Sequence, residues 1–221
     1  MPKTVLITGG NIGIGKATCL AFSKAGYNIV FSYYKDEEEA KETEKECLSL
    51  GAKNVFSYYL NLTEDSSIKK FSAEVVSRFK QIDILINNAG VLAWKRLEQQ
   101  SFEEISFQVR VNLEGLIKLT KILLPYVKEM IINVSSGAGK TGFADLTTYC
   151  ATKFGVRGFT QALAKEVTNI KVFVVNPDMT RTRMTNFVGR PPEEVADVIF
   201  RVAENKIKVS SGEDVDVWKY V

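Results

Sequence analysis

At 221 residues, 45% hydrophobic and 25% charged, the chain is long enough to bury one sizeable core, and no apolar run reaches the roughly 20 residues that span a bilayer. A net charge of +3, with no basic stripe interleaved with aromatics, is too mild to point to nucleic acid. Histidine is absent, which excludes Ser-His-Asp hydrolysis and His-ligated zinc and leaves Tyr, Lys, Cys, Asp or Glu as general acid or base.

Lys3 to Thr8 is a short β-branched, apolar run and reads as a buried strand. It enters Gly9-Gly10-Asn11-Ile12-Gly13-Ile14-Gly15, and a helical pattern follows with Ala17, Leu20, Ala21 and Ala25 on one face and Gly26 as its stop. A strand, a glycine-rich turn and a helix in that order present bare backbone N–H groups and a positive helix end to a diphosphate. Further strands are expected at Tyr27–Tyr33, Asn54–Leu60, Asp83–Ile86, Met130–Val134 and Lys171–Val175, with a short one near Val215–Trp218. Helices are expected at Asp36–Leu50, Glu64–Phe79, Ser101–Val127, Thr147–Val167 and Pro192–Glu204. This alternation implies an α/β fold of one domain over 1–221: a doubly wound parallel sheet with helices on both faces and ligand at the carboxyl ends of the strands. The charge run from Lys35 to Lys45 reads as a solvated helix face. Met1-Pro2-Lys3 leads straight into the first strand, and Cys19, Cys47 and Cys150 form neither a disulfide framework nor a metal pair, so a cytoplasmic protein is expected.

Tyr149 and Lys153 stand four residues apart on an expected helix and so share a face. A phenol is a poor proton donor or acceptor at neutral pH. An ammonium about 4–5 Å away, at an effective dielectric of about 20, favours the phenolate by roughly 4 kcal/mol, which is nearly three pKa units. The pair is therefore expected to give a phenol with a working pKa lowered toward neutrality.

With these features in place the chain resembles the short-chain dehydrogenase/reductase family, in its 3-oxoacyl-carrier-protein reductase-like branch, over almost its whole length. The cofactor turn Thr-Gly-x-x-x-Gly-Ile-Gly appears as Thr8 to Gly15, and the Asn-Asn-Ala-Gly motif as Asn87 to Gly90. The catalytic Asn, Ser, Tyr and Lys map onto Asn112, Ser136, Tyr149 and Lys153, with Ser136 thirteen positions before Tyr149. The resemblance implies a Rossmann-fold oxidoreductase that moves a hydride between nicotinamide and a carbonyl or secondary alcohol. Tyr149 would exchange the proton, Lys153 would hold the phenol and the nicotinamide ribose, and Ser136 would bond the carbonyl oxygen. Asn112 would anchor a water linking Lys153 to solvent, Asn87 would brace the sheet, and Thr8 would tie the turn to Asn87 or its neighbours. A catalytically quiet NADP(H)-binding redox sensor is the alternative, and the family implies a homo-dimer or homo-tetramer built through the helices after strands four and five.

The implied cofactor contacts are Gly9, Asn11, Ile12, Gly13 and Ile14 in the turn, Asn88, Ala89 and Gly90 after the fourth strand, and Tyr149 and Lys153. The second strand ends Phe31-Ser32-Tyr33-Tyr34-Lys35 with no carboxylate before Asp36. NAD-specific relatives carry an acid there. Ser32, Tyr33 and Lys35 are therefore expected at a 2′-phosphate, favouring NADP(H) over NAD(H), although Ile12 stands where NADP-using relatives often carry Arg. Asn61, with Leu62 beside it, replaces the usual Asp at the adenine amino group and would accept through its amide oxygen. Pro177, Thr180 and Thr182 lie in the loop under the nicotinamide, where Asp178 replaces glycine and either strains the turn or brings a carboxylate to the pocket. Leu92, Trp94, Phe143, Met184 and Phe187 are candidate apolar walls or simply packed loop residues. Arg181 and Arg183 face either an anionic substrate group or solvent. No metal site is expected.

Overall fold

The structure, a computed structural model that describes residues 2–221, is built on one seven-stranded, wholly parallel sheet. Its elements are β1 (Thr4–Ile7), α1 (Gly13–Lys24), β2 (Asn28–Tyr33), α2 (Glu37–Ser49), β3 (Asn54–Tyr59), α3 (Asp65–Phe79) and β4 (Ile82–Asn87). There follow α4 (Phe102–Val109), a π turn (Arg110–Glu114), α5 (Gly115–Leu123), β5 (Val127–Val134), α6 (Thr147–Glu166), β6 (Lys171–Asn176), α7 (Pro192–Ala203) and β7 (Asp214–Asp216). The spatial order β3-β2-β1-β4-β5-β6-β7 makes two halves that diverge between β1 and β4. That divergence is the switch point where open α/β sheets bind ligands.

Strand residues alternate between two buried faces. Val5, Ile7, Ile84 and Ile86 join a cluster with Phe22 of α1 and Val198 of α7. Leu6 and Leu85 join another with Phe71 of α3 and Leu119 of α5. Burial on both faces explains why the strands read as continuous apolar runs rather than alternating ones. Polar side chains inside the sheet are bonded to one another. Asn87 Nδ2 donates to Asn133 Oδ1 at 2.8 Å and to Thr120 Oγ1 at 3.0 Å, and Asn133 Nδ2 donates to Thr160 Oγ1 at 2.9 Å. This chain links β4, β5, α5 and α6, so Asn87 braces the sheet.

Two expectations are corrected. The buried residues of α1 are Gly15, Ala17, Thr18, Cys19, Phe22 and Ser23; of the expected face only Ala17 is buried, whereas Leu20 and Ala21 are half-buried and Ala25 is exposed. Thr18 and Ser23 can turn inward because each hydroxyl donates to the carbonyl four residues back, those of Ile14 and Cys19, at 2.7 Å. The expected helix 101–127 is three segments. A π turn interrupts it at Asn112, and Pro125, lacking an N–H, sits in a 3-10 turn at Leu124–Tyr126 that lets β5 begin at Val127.

Candidate active site

A cavity of about 1200 Å³ runs along the carboxyl ends of the strands, lined by residues that follow β1 through β6. At one end lies the glycine turn. Gly9 and Gly13 have φ of +64° and +55°, conformations that side chains disfavour. A Cβ on Gly15 would come within 1.9 Å of the Gly9 carbonyl oxygen, so the turn closes only around a bare backbone. Helix α1 starts with no side-chain cap on its N–H groups and no acid in its first turn. Uncapped donors at the positive end of a helix, opening on a cavity, fit a dinucleotide diphosphate. Gly15→Ala is expected to abolish NADPH binding in a fluorescence titration and to cost about 1–3 kcal/mol of stability through overpacking. Binding retained at the wild-type level would contradict this cradle.

Thr8 and Asn88 hold the turn. Asn88 N and Ala89 N both donate to Thr8 Oγ1 at 2.9 Å, and Asn88 Nδ2 donates to the carbonyls of Thr8 and Gly9. The Thr8 tie thus runs to the residues just past Asn87. Asn11 Nδ2 donates to the Lys35 carbonyl at 3.1 Å, fixing the turn to the loop after β2. Ile12, Ile14, Ala89 and Gly90 line the cavity.

At the other end Tyr149 and Lys153 share the inner face of α6, and both are buried. Lys153 Nζ lies 5.6 Å from the Tyr149 ring centroid and donates to the Val134 carbonyl at 3.0 Å. Ser136 Oγ accepts from Ala138 N at 3.1 Å, which leaves the hydroxyl proton free to point into the cavity. A Cβ on Gly90 would stand 3.5 Å from Lys153 Nζ and 3.4 Å from Asn112 Oδ1, so glycine there keeps the space above both open.

The electrostatics differ from the expectation. Burial pushes the Tyr149 phenol up to about 12, with the Ser136 hydroxyl acting in the opposite direction. Burial also pulls the Lys153 ammonium down to about 8. Loss of water is the largest cause of both shifts. Tyr149 is therefore a neutral proton donor at pH 7 in this state, and not a phenol lowered toward neutrality.

Several expected contacts are also corrected. The Asn112 amide is spent on structure: Nδ2 donates to the Val91 carbonyl at 2.8 Å and to Thr152 Oγ1, while Oδ1 accepts from Val91 N at 2.7 Å. Its side chain clamps the chain after β4 to the π turn, and its backbone carbonyl takes no part in that clamp. Ser32 is buried beneath the turn with its Oγ accepting from Gly9 N, and Tyr33 packs edge-on against Tyr59; neither lines the cavity. Lys35 does, its ammonium 5.6 Å from the Tyr34 ring centroid. Asn61 and Leu62 line the cavity, but Asn61 Oδ1 accepts from Thr63 N and Thr63 Oγ1, an Asx turn that competes with adenine for that oxygen.

Pro177, Thr180 and Thr182 lie under the cavity, and the Pro177 carbonyl accepts from Gly137 N at 2.7 Å, tying this loop to the Ser136 turn. Asp178 has no positive φ; its carboxylate takes a two-pronged bond from Arg190 and pins the base of a flap spanning 179–190. All five candidate wall residues, Leu92, Trp94, Phe143, Met184 and Phe187, line the cavity, as does Arg181. Asp36, Glu39 and Glu42 line it too and escaped the sequence reading. Asp36 precedes α2, and Glu39 and Glu42, three residues apart within it, are neighbours on its surface, a signal that was available.

A phosphate cradle at a switch point, joined to a buried proton donor, a cation and a hydroxyl, defines a nucleotide-dependent oxidoreductase site. A family model described as short chain dehydrogenase matches residues 3–192. A 3-oxoacyl-(acyl-carrier-protein) reductase of Thermotoga maritima is 34% identical, with 97% of this chain and 96% of that protein covered. A 3-ketodihydrosphingosine reductase of Bacteroides thetaiotaomicron is 32% identical over 84% of this chain and 66% of its own length. Among solved structures, the alcohol dehydrogenase of the archaeon Thermococcus sibiricus complexed with 5-hydroxy-NADP superposes with a TM-score of 0.88 at 25% identity, covering 98% of this chain and 96% of that one. The chain belongs to the short chain dehydrogenase family and is an NAD(P)-dependent oxidoreductase acting between carbonyl and alcohol. The comparisons give no support to the catalytically quiet alternative. No described helix is long and apolar enough to cross a membrane.

Proposed function

We propose that this chain is an NADPH-dependent carbonyl reductase, reversible as an alcohol dehydrogenase, for substrates whose carbonyl carries an apolar chain. The observation that carries this reading is the convergence of Tyr149, Ser136 and Lys153 on one cavity with the glycine cradle. The bound dinucleotide supplies or accepts the hydride. Tyr149 donates its phenolic proton to the carbonyl oxygen, and Ser136 bonds that oxygen where negative charge develops. Lys153, mostly protonated below its value of about 8, stabilises the phenolate left behind. Gly9, Gly13, Ile14 and the N-terminus of α1 hold the diphosphate, and Ala89 and Gly90 border the ribose. Asn112 acts as a positioning residue, through Val91.

The preference for NADPH is supported by the lack of an acid between Ser32 and Lys35 and by the NADP analogue named in the Thermococcus structure. Both curated relatives are named for oxo substrates, and the walls here are mostly apolar. A homo-dimer or homo-tetramer through α4, α5 and α6 is supported by Phe102, Phe107, Ile117 and Phe154, large apolar side chains exposed on those helices.

Fluorescence titration with NADPH and NADH, followed by oxidation of NADPH on 3-oxoacyl thioesters and short ketones, tests the reading. Tighter NADPH binding and faster turnover of the long-chain ketones are expected. Equal turnover of short ketones would remove the apolar-chain assignment, and no turnover on any carbonyl or alcohol would sink the enzyme reading.

A further inference from the structure

The loop after β6 reaches back over the cofactor end of the cavity and touches α2. Arg183 donates to Asp36 Oδ2 at 3.0 Å and to Glu39 Oε1, residues 147 and 144 positions away in the chain. All three line the same cavity as the glycine turn. The flap is seated there independently of the ion pair: a Cβ on Gly13 would meet Thr182 Cγ2 at 3.1 Å, and the flap base is fixed by the Asp178–Arg190 bond. Asp36 stands three residues past the end of β2 with a left-handed φ of 60°, a conformation a non-glycine residue holds at a cost. Glu39 keeps its second carboxylate oxygen buried without a partner.

Asp36 follows Gly15 by 21 residues, close to the spacing at which a carboxylate after the second strand bonds the ribose hydroxyls of NAD. Two acids at that place would repel a 2′-phosphate. Between them, however, stands the guanidinium of Arg183, whose fork suits phosphate as well as carboxylate. The geometry points to Arg183 as the residue that sets nucleotide specificity: it offsets part of the negative charge of Asp36 and Glu39 from across the cleft and supplies the cation that lets this end accept a 2′-phosphate. The assignment rests on the NADPH reading above and adds to it the residue responsible, supplied by the flap rather than by the turn, where Ile12 offers no charge.

The same flap carries Met184 and Phe187, which wall the substrate end of the cavity. A phosphate that draws on Arg183 therefore acts on the segment that shapes the substrate pocket.

The test is binding, not turnover. Dissociation constants for NADPH and NADH are measured by fluorescence on the wild type, on Arg183→Gln and on the triple variant Arg183→Gln, Asp36→Asn, Glu39→Gln, at one fixed ionic strength. Arg183 is exposed, and the apo melting temperature of each variant reports whether the fold is intact. Arg183→Gln is expected to weaken NADPH about tenfold or more, the scale of one charged hydrogen bond, with NADH unchanged or tighter. The triple variant should recover part of the NADPH affinity because the repelling acids are gone. A wild type that prefers NADPH, with Arg183→Gln weakening both nucleotides equally or neither, overturns the assignment and leaves the NADPH reading standing. A wild type that prefers NADH overturns the reading beneath it and the assignment together.

Discussion

Tyr149→Phe is expected to lower kcat for carbonyl reduction by about two to four orders of magnitude, the range that a positioned general acid contributes. NADPH affinity and the melting temperature should stay close to wild type. The substitution removes one oxygen from a buried ring and leaves the Lys153 bond to the Val134 carbonyl in place. Without histidine in the chain, the groups left near the carbonyl are the Ser136 hydroxyl and the Lys153 ammonium. Ser136 stabilises an oxyanion without being able to release a proton near neutral pH. The pH profile sharpens the test. Burial holds the phenol protonated up to about 12 and brings Lys153 to about 8, so the first protonation lost as pH rises is that of the ammonium. Reduction by the wild type should therefore be level from about pH 6 to 7.5 and fall above about pH 8, and Lys153→Arg should move that break upward. Residual turnover above a tenth of wild type in Tyr149→Phe would place the proton elsewhere.

How much of this was legible in advance follows from the range over which each signal acts. The strand–turn–helix opening and the Tyr149–Lys153 pair are local: β-branched runs, helical spacing and bare glycines are fixed within a turn or two of chain. The element order followed for the same reason, since strands buried on both faces read as apolar runs. What could not be read locally was contingent on partners distant in sequence. Nothing near Ser32 shows that it lies buried beneath the turn, under the Gly9 N–H, and outside the cavity lining. The clamp of the Asn112 amide on Val91, 21 residues earlier, has no local signal either. The effect of Asp178 depended on Arg190 lying within reach. The phenol was misjudged for a different reason. Spacing gives the distance to a cation, but the desolvation that opposes it is a property of the packed core.

The last expectation concerns the cost of that packing. Lys153 is buried, carries no ion pair among the described residues, and has been drawn from 10.5 to about 8. A depressed amine means that the folded state holds its proton less tightly than the unfolded chain. The penalty is full below about pH 8 and is relieved as pH rises toward 10.5. At about 1.4 kcal/mol per unit it amounts to roughly 3 kcal/mol at pH 7. Lys153→Met removes the penalty, keeps the volume, and leaves the buried Val134 carbonyl without its charged donor, a loss of about 2 kcal/mol. The variant should therefore be more stable than wild type by about 1 kcal/mol, raising the melting temperature by roughly 2–4 °C at pH 7 without nucleotide. The gain should shrink between pH 8 and 10.5, where the wild type recovers stability and the variant has nothing to recover. Turnover should be lost together with the stabilisation of the Tyr149 phenolate. A variant that melts below wild type at pH 7 would mean that the fold already compensates the ammonium.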